Sequence, residues 1–147
     1  MPIVSESIHI EASPERCFDY LVVAANTPHY DPTMFEFEAD HDGPMEKGDR
    51  VRFKVKVAGR HMAYENEVTE VHRPERIELR SLRGPVDVHI TWELREDAGG
   101  TLATFTNESG TLGNVFGKLA DPVVTRMYRR DVTTMLANLR ELIELEA

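Results

Sequence analysis

The chain has 147 residues, a length that suits one domain, and a fold of that size hides about 68–70% of the surface its unfolded chain exposes. With 41% hydrophobic and 29% charged residues, and with its 9 Gly and 8 Pro scattered, disorder, collagen-like repeats and low-complexity tracts are excluded. The 26 acidic and 17 basic side chains leave a formal charge of -9, which repels phosphate backbones and anionic lipid surfaces, so no nucleic-acid partner is expected.

The single cysteine, Cys17, has no partner for an internal disulfide, and Met1 to Glu6 lack the basic and apolar regions of a secretory signal. A reducing, cytoplasmic location is the expectation. The longest apolar run, Leu21 to Ala25, falls far short of the roughly 18–20 residues that cross a bilayer, so no transmembrane segment is expected.

In chain order, Val4, Ile8 and Ile10 carry a loose period of two and predict a first strand. Ser13-Pro14-Glu15 then reads as helix cap, first helical residue and an acid at the positive helix end, with Phe18, Leu21, Val22 and Ala25 on one helical face. Thr27-Pro28 repeats the signal, but Pro32 limits any helix there to one short turn. From Phe35 to about Asn107 the period is two. Phe35, Phe37 and Ala39 alternate with acids, and Val51, Phe53, Val55 and Val57 follow a turn over His41 to Gly48. After the break at Ala58-Gly59-Arg60 come Met62, Tyr64, Asn66 and Val68, then Ile77 and Leu79, then Val88, Ile90, Trp92 and Leu94, and after Gly99-Gly100 the set Ala103, Phe105 and Asn107. Beyond Gly110 the period is helical, with an apolar stripe through Leu112, Val115, Phe116, Leu119, Val123, Met127, Val132, Met135, Leu136, Leu139, Leu142 and Ile143. Asp121-Pro122 inside it predicts a kink or restart. There is no internal repeat or linker, so residues 1–147 are taken as a single domain.

This order, β-α-α-β6-α, is an α+β chain in which one curved antiparallel sheet of about seven strands must cover its apolar face with a long C-terminal helix. A helix crossing a strongly curved sheet touches it along a line, and the space beside the line is filled by bulky side chains or left open. An internal pocket, apolar with a few polar groups, is the expectation.

The run Ile8-x-Ile10-x-Ala12-Ser13-Pro14-Glu15-x-x-Phe18-x-x-Leu21, followed by Tyr30-Asp31-Pro32, Gly43-Pro44 with Gly48, Glu67 to Val71 with Pro74 and Ile77, Trp92-Glu93-Leu94, Gly99-Gly100-Thr101 and the Leu139, Leu142, Glu144 ending, resembles the START-like or Bet v 1-like superfamily. That group, also called SRPBCC, includes polyketide cyclases and dehydrases, lipid-transfer domains and plant-allergen-type binding proteins. The resemblance spans nearly the whole chain and implies a helix-grip fold around a cavity for a hydrophobic or amphipathic molecule. Many relatives carry tryptophan where this chain has Tyr30, whose hydroxyl needs a partner if buried or faces a ligand at the pocket mouth.

The expected ligand-lining set is Tyr30, Phe37, Phe53, Val55, Met62, Tyr64, Asn66, Leu79, Ser81, Val88, Ile90, Trp92, Phe105, Asn107, Phe116, Leu119, Val123, Met127 and Tyr128. Asn66 stands out because an amide in phase with Met62, Tyr64 and Val68 points into an apolar interior, unless a bulge turns it outward. Tyr30, Asp31, Tyr64, Asn66 and Asn107 are the candidates for moving protons. The six histidines have no metal-ligand spacing and read as surface residues, Asp40-His41-Asp42 reads as a turn, and Cys17 as an inert buried thiol. Arg126, Arg129, Arg130 and Arg140 read as the wet side of the last helix. Neither metal nor cofactor is implied. The first function class is binding or transport of a hydrophobic small molecule (lipid, polyketide-like or aromatic) by a monomer or homodimer. The second is a cyclase or dehydrase-type enzyme using the same cavity, and the third a protein-interaction module of the same fold.

Overall fold

In the computed structural model, which describes residues 3–110 and 120–146, the first strand β1 (Ile3–Ile10) leads directly into helix α1 (Pro14–Leu21). The Ser13 hydroxyl caps that helix by accepting a hydrogen bond from the Arg16 amide at 3.2 Å, and Pro14 sits where its missing N–H costs nothing. A short 3-10 turn (Ala24–Asn26) and the one-turn helix α2 (Thr27–Tyr30) follow. Strands β2 (Met34–Ala39), β3 (Arg50–Val57), β4 (Arg60–His72), β5 (Arg76–Arg83), β6 (Val88–Asp97) and β7 (Gly100–Ser109) come next, and the helix α3 (Ala120–Leu145) closes the order.

The seven strands form one antiparallel sheet in the order β1-β7-β6-β5-β4-β3-β2. It is a meander from β2 to β7, with β1 added on the far side of β7, Ile3 opposite Glu108 and Ile10 opposite Thr101. Three irregularities deepen its curvature, as bulges do. In β2 the pairing shifts between Phe35 and Glu38, with Glu36 at φ 50°. In β4 and β5 it shifts beside Asn66 and again between Val68 and Glu70.

The β2 bulge corrects the simple alternation expected there. Phe35 turns to the outer face and packs edge-on against His61, with ring centroids 5.2 Å apart. Met34 and Phe37 both face inward, although three residues apart.

Helix α3 is described from Ala120, and Pro122 lies in the first described turn. The expected kink or restart at Asp121-Pro122 falls at the edge of the described residues. The leading segment read from Leu112, Val115, Phe116 and Leu119 lies outside the described residues. Val124, Val132, Met135, Leu136, Leu139 and Ile143 are buried along one stripe of α3. Val123 and Met127 are 56% and 44% exposed, a correction to their expected place on that stripe. At 3.6 residues per turn they sit roughly a third of a turn or more away from it.

The two ends of α3 meet different surroundings. Toward the C-terminus, Leu139 and Ile143 pack in one continuous core with Ile10 and Phe18, all of them essentially unexposed. Arg16 Nη2 donates to the Ile143 carbonyl at 2.7 Å and the Glu11 amide to the Glu144 carboxylate at 2.9 Å, fastening that end to α1 and β1. Most of the helix's contact with the sheet is with β1. Over the strands farther from β1 the sheet curves away, and there the layers part.

Candidate functional site

The gap is a cavity of about 160 Å³ between the N-terminal half of α3, the α2 turn and the concave face of the sheet. Its walls are apolar and aromatic. Phe53 stacks between Phe37 and Tyr64 with centroids 6.2 and 5.9 Å away, a row laid across neighbouring strands. Opposite them, Trp92 meets Phe105 at 4.9 Å and Tyr30 at 6.3 Å, both edge-on, a favoured geometry for aromatic rings.

The polar groups are few. Asn66 is 1% exposed, and its Oδ1 has no hydrogen-bond partner. Its strand pairing shifts at that very point, yet the side chain stays inward in phase with Met62, Tyr64 and Val68. Asn107 on β7 donates from Nδ2 to the Tyr128 hydroxyl at 2.8 Å, while its own buried Oδ1 is also without a partner. The Tyr30 side chain is buried against Tyr20 and Trp92, and its carbonyl accepts from Asn138 Nδ2 at 3.2 Å. The following residue, Asp31, is half-buried, with Oδ1 accepting from the Thr33 amide at 3.0 Å and the Thr33 hydroxyl at 2.6 Å.

Burial sets the protonation of these groups. Desolvation pushes the Tyr64 phenol up to about 12, against the opposing pull of a backbone hydrogen bond from Val86. It also raises Tyr30 and Tyr128 well above the usual tyrosine range. All three remain neutral hydrogen-bonding groups near neutral pH. Desolvation likewise raises Asp31, partly offset by its bonds from Thr33. Among the described lining residues Asp31 is the one carboxyl group, and there is no Lys, Arg or His.

Of the residues named from the sequence, Tyr30, Asp31, Phe37, Phe53, Val55, Met62, Tyr64, Asn66, Leu79, Val88, Ile90, Trp92, Phe105, Asn107 and Tyr128 line this cavity. Three do not. Ser81 instead accepts from the Val88 amide at 2.9 Å and closes the end of the β5–β6 pairing, and Val123 and Met127 lie on the exposed side of α3. Phe116 and Leu119 lie outside the described residues.

The structure adds lining residues beyond those expected from the sequence. Val51 and Val57 share the face of Phe53, a signal already present in the alternation of β3. Met45 and Val86 come from stretches that carry no strand period. Met45 is drawn in by its amide bond to the Val22 carbonyl at 2.7 Å. Cys17 is buried and its thiol pushed up by desolvation, an unreactive state. His61 and His89 are on strands β4 and β6, separated by β5, and His89 pairs with Glu78 at 2.8 Å. His41, Glu46 and Asp49 form a group with donor atoms within 4.8 Å of one another. They lie between β2 and β3, where Asp49 already accepts from His41 and from the Glu46 amide.

The sequence model of the family described as "Polyketide cyclase / dehydrase and lipid transport" matches residues 1–144. The chain belongs to this family. No curated protein matches its sequence. Among solved structures, TTHA0849 from Thermus thermophilus superposes with a TM-score of 0.85 at 20% identity, covering 99% of each chain. The Zhui aromatase/cyclase from Streptomyces sp. R1128 follows with 0.79 at 18% identity, over 97% of this chain and 93% of that one. A START superfamily protein from Mycobacterium smegmatis gives 0.76 at 14% identity, with 99% of each chain covered. At these identities the likeness establishes the helix-grip fold of the polyketide cyclase/dehydrase and lipid transport family. Among the described residues no helix is long and apolar enough to cross a membrane.

Proposed function

We propose that this family member binds or carries a hydrophobic small molecule in the cavity under α3. The observation that carries the reading is a cavity of about 160 Å³ walled by aromatic rings and holding two unpartnered amide oxygens. A guest there gains dispersion contacts and apolar burial. Titration with an uncharged apolar dye that fluoresces when desolvated tests it, together with native mass spectrometry of freshly purified protein. Saturable dye binding at one site, or a copurified compound, supports the reading, and a protein that takes up neither dye nor ligand overturns it.

The second reading, a cyclase or dehydrase-type enzyme, draws on Asp31. A carboxyl whose desolvation raises its proton affinity, on the wall of an apolar cavity, is placed to exchange a proton with a guest. No basic side chain among the described lining residues pairs with it, so binding ranks first. Turnover of a poly-β-keto substrate that drops roughly 10²–10⁴-fold in Asp31→Asn with affinity unchanged would reverse that order.

A further inference from the structure

Two buried polar atoms of the cavity constrain its guest. Asn66 Oδ1 and Asn107 Oδ1 are acceptors, buried and unpartnered, and the Asp31 carboxyl adds further acceptor capacity on the same wall. Asn107 Nδ2 gives one of its two hydrogens to Tyr128, and the Tyr64 hydroxyl accepts from the Val86 backbone amide, so neither bond reaches the two amide oxygens. The two amide oxygens therefore ask for donors. A buried acceptor left without one costs about 1–3 kcal/mol. A guest that brings an O–H or N–H to it relieves that cost, while a purely hydrocarbon guest does not.

Charge and size narrow the class. A carboxylate placed here would be desolvated against Asp31 and two carbonyl oxygens, with no cation among the described lining residues to offset it. A volume of about 160 Å³ is close to that of an engineered cavity of about 150 Å³ that takes up benzene. It suits one or two fused rings and is too small for a long acyl chain. Asn66 is on β4 and Asn107 on β7, three strands apart in the sheet order, so the two acceptors address different parts of a guest.

From this geometry we propose that the ligand class is an uncharged aromatic of one or two rings that carries hydrogen-bond donors, a phenol above all, held by Asn66 and Asn107, and that the cavity discriminates against carboxylates. The proposal rests on the small-molecule binding reading above and specifies it.

The test is competition against the uncharged dye by naphthalene, a monohydroxynaphthalene, a dihydroxynaphthalene with its hydroxyls on opposite rings, and a naphthoate, at neutral pH. The monohydroxy compound is expected to bind about 5–10-fold more tightly than naphthalene, the gain typical of one net hydrogen bond. The dihydroxy compound should bind more tightly still, and the naphthoate more weakly than naphthalene. In Asn66→Leu and, separately, Asn107→Leu the preference for hydroxylated rings should shrink while naphthalene binding is kept or improved, with Tm confirming that each variant is folded. If either variant fails to fold, the wild-type series decides alone. Naphthalene binding as well as its hydroxylated forms, or naphthoate binding best, overturns the proposal and leaves the binding function standing. Loss of all ligands and of the dye itself overturns both.

Discussion

The Asn107 amide, on the last strand of the sheet, donates to the hydroxyl of Tyr128 on α3 at 2.8 Å, tying the two walls of the cavity together across its interior. Both partners line the cavity. It fixes which atom of Asn107 faces a guest, because the nitrogen is engaged and the oxygen is not.

Tyr128→Phe removes that acceptor while keeping the ring. The buried amide hydrogen is then unpaired, and the variant should lose about 1–3 kcal/mol of stability by chemical denaturation, with an unchanged m-value. A change below about 0.5 kcal/mol would mean that the amide finds water or another partner.

Gly84 lies so close to the Tyr64 ring that a Cβ built on it would fall 2.3 Å from two ring carbons. Gly84→Ala therefore has to displace the ring, and the open side is the cavity that Tyr64 lines. The variant should lose dye affinity several-fold and about 1–3 kcal/mol of stability, checked by titration alongside thermal unfolding. Gly100→Ala offers a contrast, since its Cβ would meet the Ile10 carbonyl oxygen at 2.4 Å, backbone that cannot swing aside. It should destabilise the fold by pushing β1 from β7.

Burial raises the proton affinity of Asp31 in the folded protein above its ordinary value of 3.8. The native state then holds a proton that the unfolded chain has released, so stability falls as pH rises from about 4 through the native value. Asp31→Asn keeps the oxygen that accepts from Thr33 and removes the charge. Tm measured across that range should be higher for the variant at neutral pH, and the gap should close toward acid. A variant less stable than the wild type at neutral pH would contradict this sign.

Trp92, the single tryptophan of the chain, is 6% exposed and lines the cavity between Tyr30 and Phe105. A guest that enters replaces whatever solvent reaches the indole, so its emission should change in intensity and shift to the blue with the occupancy read by the dye. Silent tryptophan emission during saturable binding would place the ligand elsewhere.

Much of this architecture is legible in the residues alone, for physical reasons. Alternation fixes which side of β3, β4 and β7 faces the interior, because side chains in a strand change face at every residue. Ser13-Pro14 marks a helix start through its chemistry, and the succession of elements leaves one sheet to be covered by one helix. Asn66 is identifiable as an inward amide by its phase with Met62, Tyr64 and Val68.

Tertiary structure decided the rest. The bulge at Glu36 puts Met34 inside and Phe35 outside, and a period of two cannot announce an extra residue. Val123 and Met127 are apolar yet off the buried stripe of α3, because apolar identity is a property of a residue whereas helical phase depends on the neighbours that hold the stripe in place. Met45 and Val86 reach the cavity from loops, drawn in by backbone bonds and packing between segments far apart in sequence. Whether a hollow exists at all was likewise settled in three dimensions. It depends on the separation of a curved sheet from a straight helix, solid where Leu139 and Ile143 meet Phe18 and open where Tyr128 faces Asn107.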